Sequence, residues 1–178
     1  MSIYTGRGDR GKTDLWSSER RVSKASCRIE GYGSVDELNG LLGHAASVAD
    51  ENVSEDIEHV QNQLHVLMAH LADREEKGDK RITDEHTDRL EDRIDSYSED
   101  LEELDGFILP GGSHAGSILH YARSVCRRVE RRIVELDDEE GVDEEVLTYI
   151  NRLSDFIFVL ARYQNSMDGA EEERVTYE

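Results

Sequence analysis

The stretch RSVCRRVER (residues 123–131) lies inside the longest unbroken amphipathic pattern of the sequence, and its reading decides the fold. At about 100° per residue, Leu119, Ala122, Cys126, Val129, Ile133 and Leu136 gather on one arc of a helix. Arg123, Arg127, Glu130 and Arg131 gather on a second arc, about a quarter-turn or more away. Arg128 falls outside that polar arc. One face therefore enters a core, and a neighbouring face carries three guanidiniums and a carboxylate. Two readings fit such a face: a solvated, salt-bridged surface, or a site for a polyphosphate, whose oxygens match planar guanidinium forks.

Working outward, the same period recurs along the chain. Ser34 and Glu37 form a capping-box pattern, which predicts a first helix starting at Ser34 with Val35, Leu38, Leu41, Leu42, Ala45 and Ala49 as its apolar stripe. Residues 50–53 read as a turn. A second helix is expected over about 55–73 and, after a charged linker at 77–80, a third capped by Thr83. The segment FILPGGSH (residues 107–114) holds the only proline, Pro110, followed by two glycines, and reads as a stop and a sharp redirection. Ser113 then caps the arginine-bearing helix, expected to run to about Leu136. A last helix is predicted over 144–164, followed by a polar, fraying tail from residue 166. No strand alternation is visible. The expected fold is all-α, an up-and-down five-helix bundle, in one domain over 1–178. It divides into an irregular N-terminal segment (1–33), the bundle (34–165) and a polar tail (166–178).

Composition limits the function. In 178 residues, 41 Asp and Glu oppose 21 Lys and Arg, a net charge of -20. Such a surface repels nucleic acid and anionic membranes. The acids are spread over every segment, a pattern that fits adaptation to high salt or an ordinary acidic cytosolic protein, the first being favoured by the charge density. No apolar run approaches a membrane span, and no leader is read at the polar, glycine-rich start. Cys27 and Cys126 lie far apart without a C-x-x-C, so free thiols in a reducing cytoplasm are expected. The histidines show no metal-ligand spacing, and no protein metal cage is predicted.

Residues 6–13, GRGDRGKT, match the P-loop pattern G-x-x-x-x-G-K-T literally. That pattern works only between a buried strand and a helix, where backbone N–H groups cradle phosphates. Neither flank has that character. The loop can still bind phosphate locally through its amides, Arg7, Arg10, Lys12 and the Thr5 and Thr13 hydroxyls. Further along, YINRLSDFIFVLARYQN (residues 149–165) sets Asn151, Asp155, Phe158 and Arg162 away from its helix's main stripe. Asn151 is a poor helix-interior residue, which hints at a contact. Asp36, near a predicted helix start, is explained by the helix dipole alone.

Taken together, YTGRGDRGKT, YGSVDELNGLLG, FILPGGSHAGSILHYARSVCRRVERR and YINRLSDFIFVLAR occur in this order across nearly the whole chain. The sequence resembles the PduO-type ATP:cob(I)alamin adenosyltransferases. The resemblance implies an alkyl-group transferase that moves the 5′-deoxyadenosyl group of ATP onto cob(I)alamin, with magnesium accompanying the nucleotide and triphosphate released. It implies a homotrimer with sites between subunits, a reductase that supplies cob(I)alamin, and an adenosylcobalamin-dependent enzyme as a recipient. By position, Thr5, Gly6, Arg7, Gly8, Thr13 and Lys24 match the family's N-terminal nucleotide segment. Arg127, Arg128, Glu130 and Arg131 match its R-R-x-E-R, and Asn151 its nucleotide-binding asparagine. Asp36 and Arg123 match a salt bridge across the subunit interface. Phe107 matches the aromatic residue that helps exclude the lower axial ligand of cobalt, and with Arg127 and Arg131 makes up the implied catalytic set. The family's usual basic residue after the threonine is replaced by Gly6, with Arg7 next. A non-catalytic cobalamin carrier and a P-loop NTPase are the alternative functions.

Overall fold

The computed structural model describes residues 4–15, 21–73 and 77–177. Among them, a two-stranded antiparallel ribbon, β1 (Lys12–Thr13) and β2 (Val22–Ser23), precedes five helices. These are α1 (Cys27–Ala46), α2 (Glu51–Ala72), α3 (Asp84–Ser98), α4 (His114–Glu140) and α5 (Glu144–Met167). The helices pack in the spatial order α2, α1, α4, α5, α3, so α4 lies centrally between α1 and α5, and α3 docks mainly on α5. The expected all-helical bundle is what forms. The ribbon lies within the N-terminal segment that the sequence reading described as irregular.

The arc read from α4 enters the core as the period requires. Leu119, Ala122, Cys126, Val129, Ile133 and Leu136 have no residual exposure. Complete burial of each large side chain in that row stabilises the fold by about 1.5–3 kcal/mol. Ser113 caps α4 through its Oγ, which accepts from the Gly116 N–H at 3.1 Å.

Four boundaries differ from the sequence reading, each for a long-range reason. The first helix starts at Cys27, not Ser34. Its first turn is anchored by buried Arg28, which donates to Glu140 at 3.1 Å and to the Leu71 carbonyl at 2.5 Å. Ser34 is no cap; its hydroxyl lies inside the helix and donates to the Gly31 carbonyl at 2.7 Å. The same Arg28–Glu140 pair holds the acidic end of α4 helical beyond Leu136. The second helix starts at Glu51 because buried Gln164 of α5 clasps Asp50: its Oε1 accepts from the Asp50 N–H at 3.0 Å and its Nε2 donates to Oδ2 at 2.8 Å.

The fourth difference is the tail, which does not fray. The chain turns at Gly169 (φ +66°), and the Ala170 N–H returns to the Asn165 carbonyl at 2.8 Å. The tail then runs antiparallel to residues 107–109, with Ile108 opposite Arg174. Three polar residues near the end of α5, Arg162, Gln164 and Asn165, thereby tie down three separate connections.

Candidate functional site

The polar arc of α4 stands as the period predicts. Arg127 and Arg131 are exposed, while Glu130 and Arg123 are half-buried. Across the α4–α5 seam, exposed Asn151 donates from Nδ2 to Glu130 Oε1 at 2.9 Å. Two residues that the sequence reading matched separately to a nucleotide site are thus one hydrogen-bonded unit, with two guanidiniums on the same helix face that form no ion pair among the described residues. Arg128 points elsewhere, as its place on the wheel requires. Its Nη2 lies 2.6 Å from Glu37 Oε2 on α1.

One turn earlier on α4, Arg123 stacks its guanidinium over the Phe158 ring of α5, 4.9 Å from the centroid. This cation–π contact fixes the side chain without neutralising it. Its Nε is buried and lacks a partner. His120, one turn back, is buried beside the same ring at 5.9 Å. Burial, and then the positive charge of Arg123, push the His120 imidazole below its ordinary range. Asp36, the other half of the matched pair, is exposed on α1 and forms no ion pair within the described residues.

The N-terminal segment is a braced turn. Gly6 and Gly11 both take φ +68°, a left-handed conformation that disfavours any residue with a Cβ. A lysine or arginine at position 6 would be strained, which accounts for glycine where the resemblance leads one to expect a base. Arg7 pairs with Asp14 at 3.1 Å. Arg21 donates to the carbonyls of Arg7 and Lys12 and approaches Asp14 at 3.4 Å. Lys24 lies against Gly8, where an added Cβ would stand 2.9 Å from Nζ. Thr5 is exposed and Thr13 half-buried on the ribbon. Asp14 and Arg21 were missed by pattern reading; the only signal was an acid set within a basic stretch. The literal P-loop match therefore leads into a β-ribbon, not a helix, and no parallel sheet exists among the described residues.

Phe107 lies on the α3–α4 connection with 77% of its surface exposed. Its neighbours are held firmly. Asn165 Oδ1 accepts from the Ser113 N–H at 2.9 Å, and its Nδ2 donates to the Gly111 carbonyl at 2.9 Å. Gly112, at φ +105°, and Gly116 leave room for that amide; a Cβ there would stand 2.4 Å and 1.9 Å from its Oδ1. A larger cleft of about 830 Å³ opens elsewhere, between α2 and α3. None of the matched residues lines it, and its central groups, Asp56, Arg93 and Tyr97, are bonded to one another. Among the described residues no cluster of His, Cys, Asp or Glu could hold a metal. No helix is long and apolar enough to cross a membrane.

These features define a class first: an all-α bundle whose site residues stand on helix faces and a glycine-rich ribbon, outside any P-loop or Rossmann sheet. A family model for cobalamin adenosyltransferase matches residues 3–164, and the chain belongs to that family. It is 41% identical over 174 residues to a corrinoid adenosyltransferase of Bacillus subtilis, covering 95% of this chain and 89% of the relative. It is 45% identical over 170 residues to the corrinoid adenosyltransferase PduO of Salmonella typhimurium, covering 93% of this chain and 50% of that longer protein. A solved PduO-type ATP:corrinoid adenosyltransferase from Lactobacillus reuteri, a phenylalanine-to-alanine variant complexed with cobalamin and ATP, superposes with a TM-score of 0.93 at 35% identity. That match covers 99% of this chain and 100% of that one. An arginine-to-lysine variant of the same enzyme, complexed with ATP, matches at 0.92 with 36% identity, over 98% of this chain and 100% of that one.

Proposed function

We propose that the protein transfers the 5′-deoxyadenosyl group of ATP to cob(I)alamin, forming adenosylcobalamin and releasing triphosphate. The observation that carries this reading is the Asn151–Glu130 hydrogen bond beside the exposed guanidiniums of Arg127 and Arg131. Asn151 and Glu130 orient the nucleoside end, and the two arginines take triphosphate oxygens in charge-assisted bonds. The cobalt(I) electron pair of the substrate forms the Co–C5′ bond while the C5′–O bond breaks, and its electrons leave with triphosphate. No side-chain nucleophile is needed. The protein supplies alignment of the two reactants and stabilisation of the charge gathering on the leaving group. Magnesium accompanies the nucleotide, with triphosphate oxygens as its ligands. Phe107 packs against the corrinoid and disfavours its lower axial ligand.

The site is completed by a neighbouring copy in a homotrimer. The braces of the N-terminal ribbon are internal to it, so Thr5, Gly6, Gly8, Thr13 and Lys24 are available to a second subunit's Arg127–Arg131 face, and Arg7 joins them by exchanging Asp14 for phosphate. Asp36 and Arg123, neither in an ion pair among the described residues, meet across the same interface. Arg128, engaged with Glu37, assists the nucleotide site from its edge. Residues 1–178 act as one domain, in the cytoplasm, with a reductase upstream and an adenosylcobalamin-dependent enzyme downstream. The dispersed acidic surface fits a salty interior.

The test is anaerobic incubation with pre-reduced cob(I)alamin, ATP and magnesium, at low and at high salt. The cobalt alkylation spectrum and the phosphate product are both followed. Alkylation with stoichiometric triphosphate is expected. Binding of cobalamin without alkylation would mark a carrier, and release of orthophosphate or ADP would mark an NTPase. Sedimentation of the free chain as a monomer would refute the shared site.

A further inference from the structure

Arg162 is left over from the nucleotide site, yet its guanidinium makes three hydrogen bonds. Its side chain is only 10% exposed. Nε donates to Glu172 Oε1 at 2.8 Å and Nη2 to Glu172 Oε2 at 3.0 Å, a two-bond fork. Nη2 also donates to the Glu102 carbonyl at 2.8 Å. One guanidinium of α5 therefore joins the tail to the start of the α3–α4 connection.

From Glu172 the tail reaches Phe107 within three residues. The Leu109 N–H donates to the Glu173 carbonyl at 2.8 Å, and the Val175 N–H donates to the Phe107 carbonyl at 3.0 Å. Arg174, opposite Ile108, pairs with Asp105. Side chains alternate along an extended pair. Phe107 and Leu109 thus share the outer face, 77% and 46% exposed, while Ile108 turns inward. The backbone of Phe107 is held from behind by the tail, and the tail is held by Arg162. Two backbone hydrogen bonds alone do not offset the conformational entropy of ordering such a segment. A buried ion pair is a poor source of net stability and a good source of register.

We infer that Arg162 is a positioning residue, acting through Glu172 and the tail to hold Phe107 in place against the corrinoid substrate. The inference rests on the assignment of Phe107 to the corrinoid proposed above. It assigns Arg162 and Glu172 a task in which neither touches a substrate.

The test uses the full chain with Arg162→Lys, Glu172→Gln and Val175→Pro, the last removing the N–H donated to Phe107 and fixing the backbone at that position. Phe107→Ala serves as the control and Glu172→Asp as the conservative variant. Three readouts are taken: the electronic spectrum of cob(II)alamin bound with ATP, which reports loss of the lower ligand; the adenosylation rate from cob(II)alamin with a reduced flavoprotein; and the rate and KM for ATP with pre-reduced cob(I)alamin. In Arg162→Lys, Glu172→Gln and Val175→Pro the lower-ligand-free signal fades and the reductase-coupled rate falls about tenfold, the scale of a small misplacement. With pre-reduced cob(I)alamin, rate and KM for ATP stay within about twofold, and Glu172→Asp recovers part of the signal. If Phe107→Ala abolishes the signal while the three variants keep it, the inference fails and the Phe107 assignment stands. If Phe107→Ala keeps the signal, the assignment itself fails. A parallel loss of ATP affinity in the three variants would mark a general structural role and overturn the inference.

Discussion

Replacing Asn165 by alanine tests how α4 is seated on α5. The amide accepts from the Ser113 N–H and donates to the Gly111 carbonyl, both at 2.9 Å, and the residue is 2% exposed. Alanine leaves both partners without a bond in a site that water reaches poorly, about 1–3 kcal/mol each when truly dry. Alanine's better helix propensity returns about 0.5 kcal/mol. The net expectation is a loss of about 1.5–5.5 kcal/mol, or roughly 3–22 °C in melting temperature for a chain of this size. Gly116→Ala should do comparable damage by another route, since its Cβ would stand 1.9 Å from Asn165 Oδ1 and force the amide out. The two changes must then be strongly non-additive. Once Asn165 is alanine, the nearest remaining obstacle to a Cβ at Gly116 is Ser113 Oγ at 3.1 Å, so the second substitution costs little. Urea or thermal unfolding of the four proteins at one concentration closes the cycle. A single-mutant loss below about 0.5 kcal/mol, or additive losses, would refute the clasp.

Other outcomes are expected. Asn151→Ala should raise KM for ATP about tenfold with little change in melting temperature, because its partner Glu130 is reached from an exposed position; an unaltered KM would remove Asn151 from the nucleotide site. His120 is held neutral by burial and then by Arg123, with Glu172 pulling weakly the other way and Arg162 adding to the depression. Its folded pKa lies below the unfolded value of 6.5, so this stabilisation is complete above about pH 6.5 and is lost as pH falls through the folded pKa. His120→Gln should flatten that acid limb in pH-dependent melting, and an unchanged slope would assign it to other groups. Net charge of -20 predicts a melting temperature that climbs from millimolar to molar KCl as self-repulsion is screened. A flat or falling curve would remove the high-salt reading.

The bundle was legible because its period is strong: every apolar position named on α4 is buried, and so are Leu64 and Leu67 on α2 and Ile150, Leu153 and Ile157 on α5. What periodicity could not carry was contact between distant residues. The start of α1 looked like loop because Gly31 and Gly33 dilute the pattern, and the capping box at Ser34 offered a local alternative. The tertiary tie from Arg28 to Glu140 and Leu71 overrides both. The tail looked free because Glu172 is one acid among many, and nothing local shows that it meets Arg162. The candidate site was legible as residue types but not as an assembly. Within one chain, Asn151 and Glu130 come together, whereas the N-terminal glycine turn and the α4 arginines do not share a bond.

The placement of α3 has a dynamic consequence. It is anchored by few buried side chains, Thr87, Leu90 and Tyr97, beside an open cleft, whereas α4 is buried along its length. Such an element opens locally at a free energy well below that of global unfolding, and its amides exchange with solvent first. Fluctuations of α3 would otherwise feed slack into the connection that carries Phe107. The Arg162 bond to the Glu102 carbonyl sits between the two and acts as a stop. The bundle can therefore breathe at α3 while the segment that carries Phe107 keeps its place.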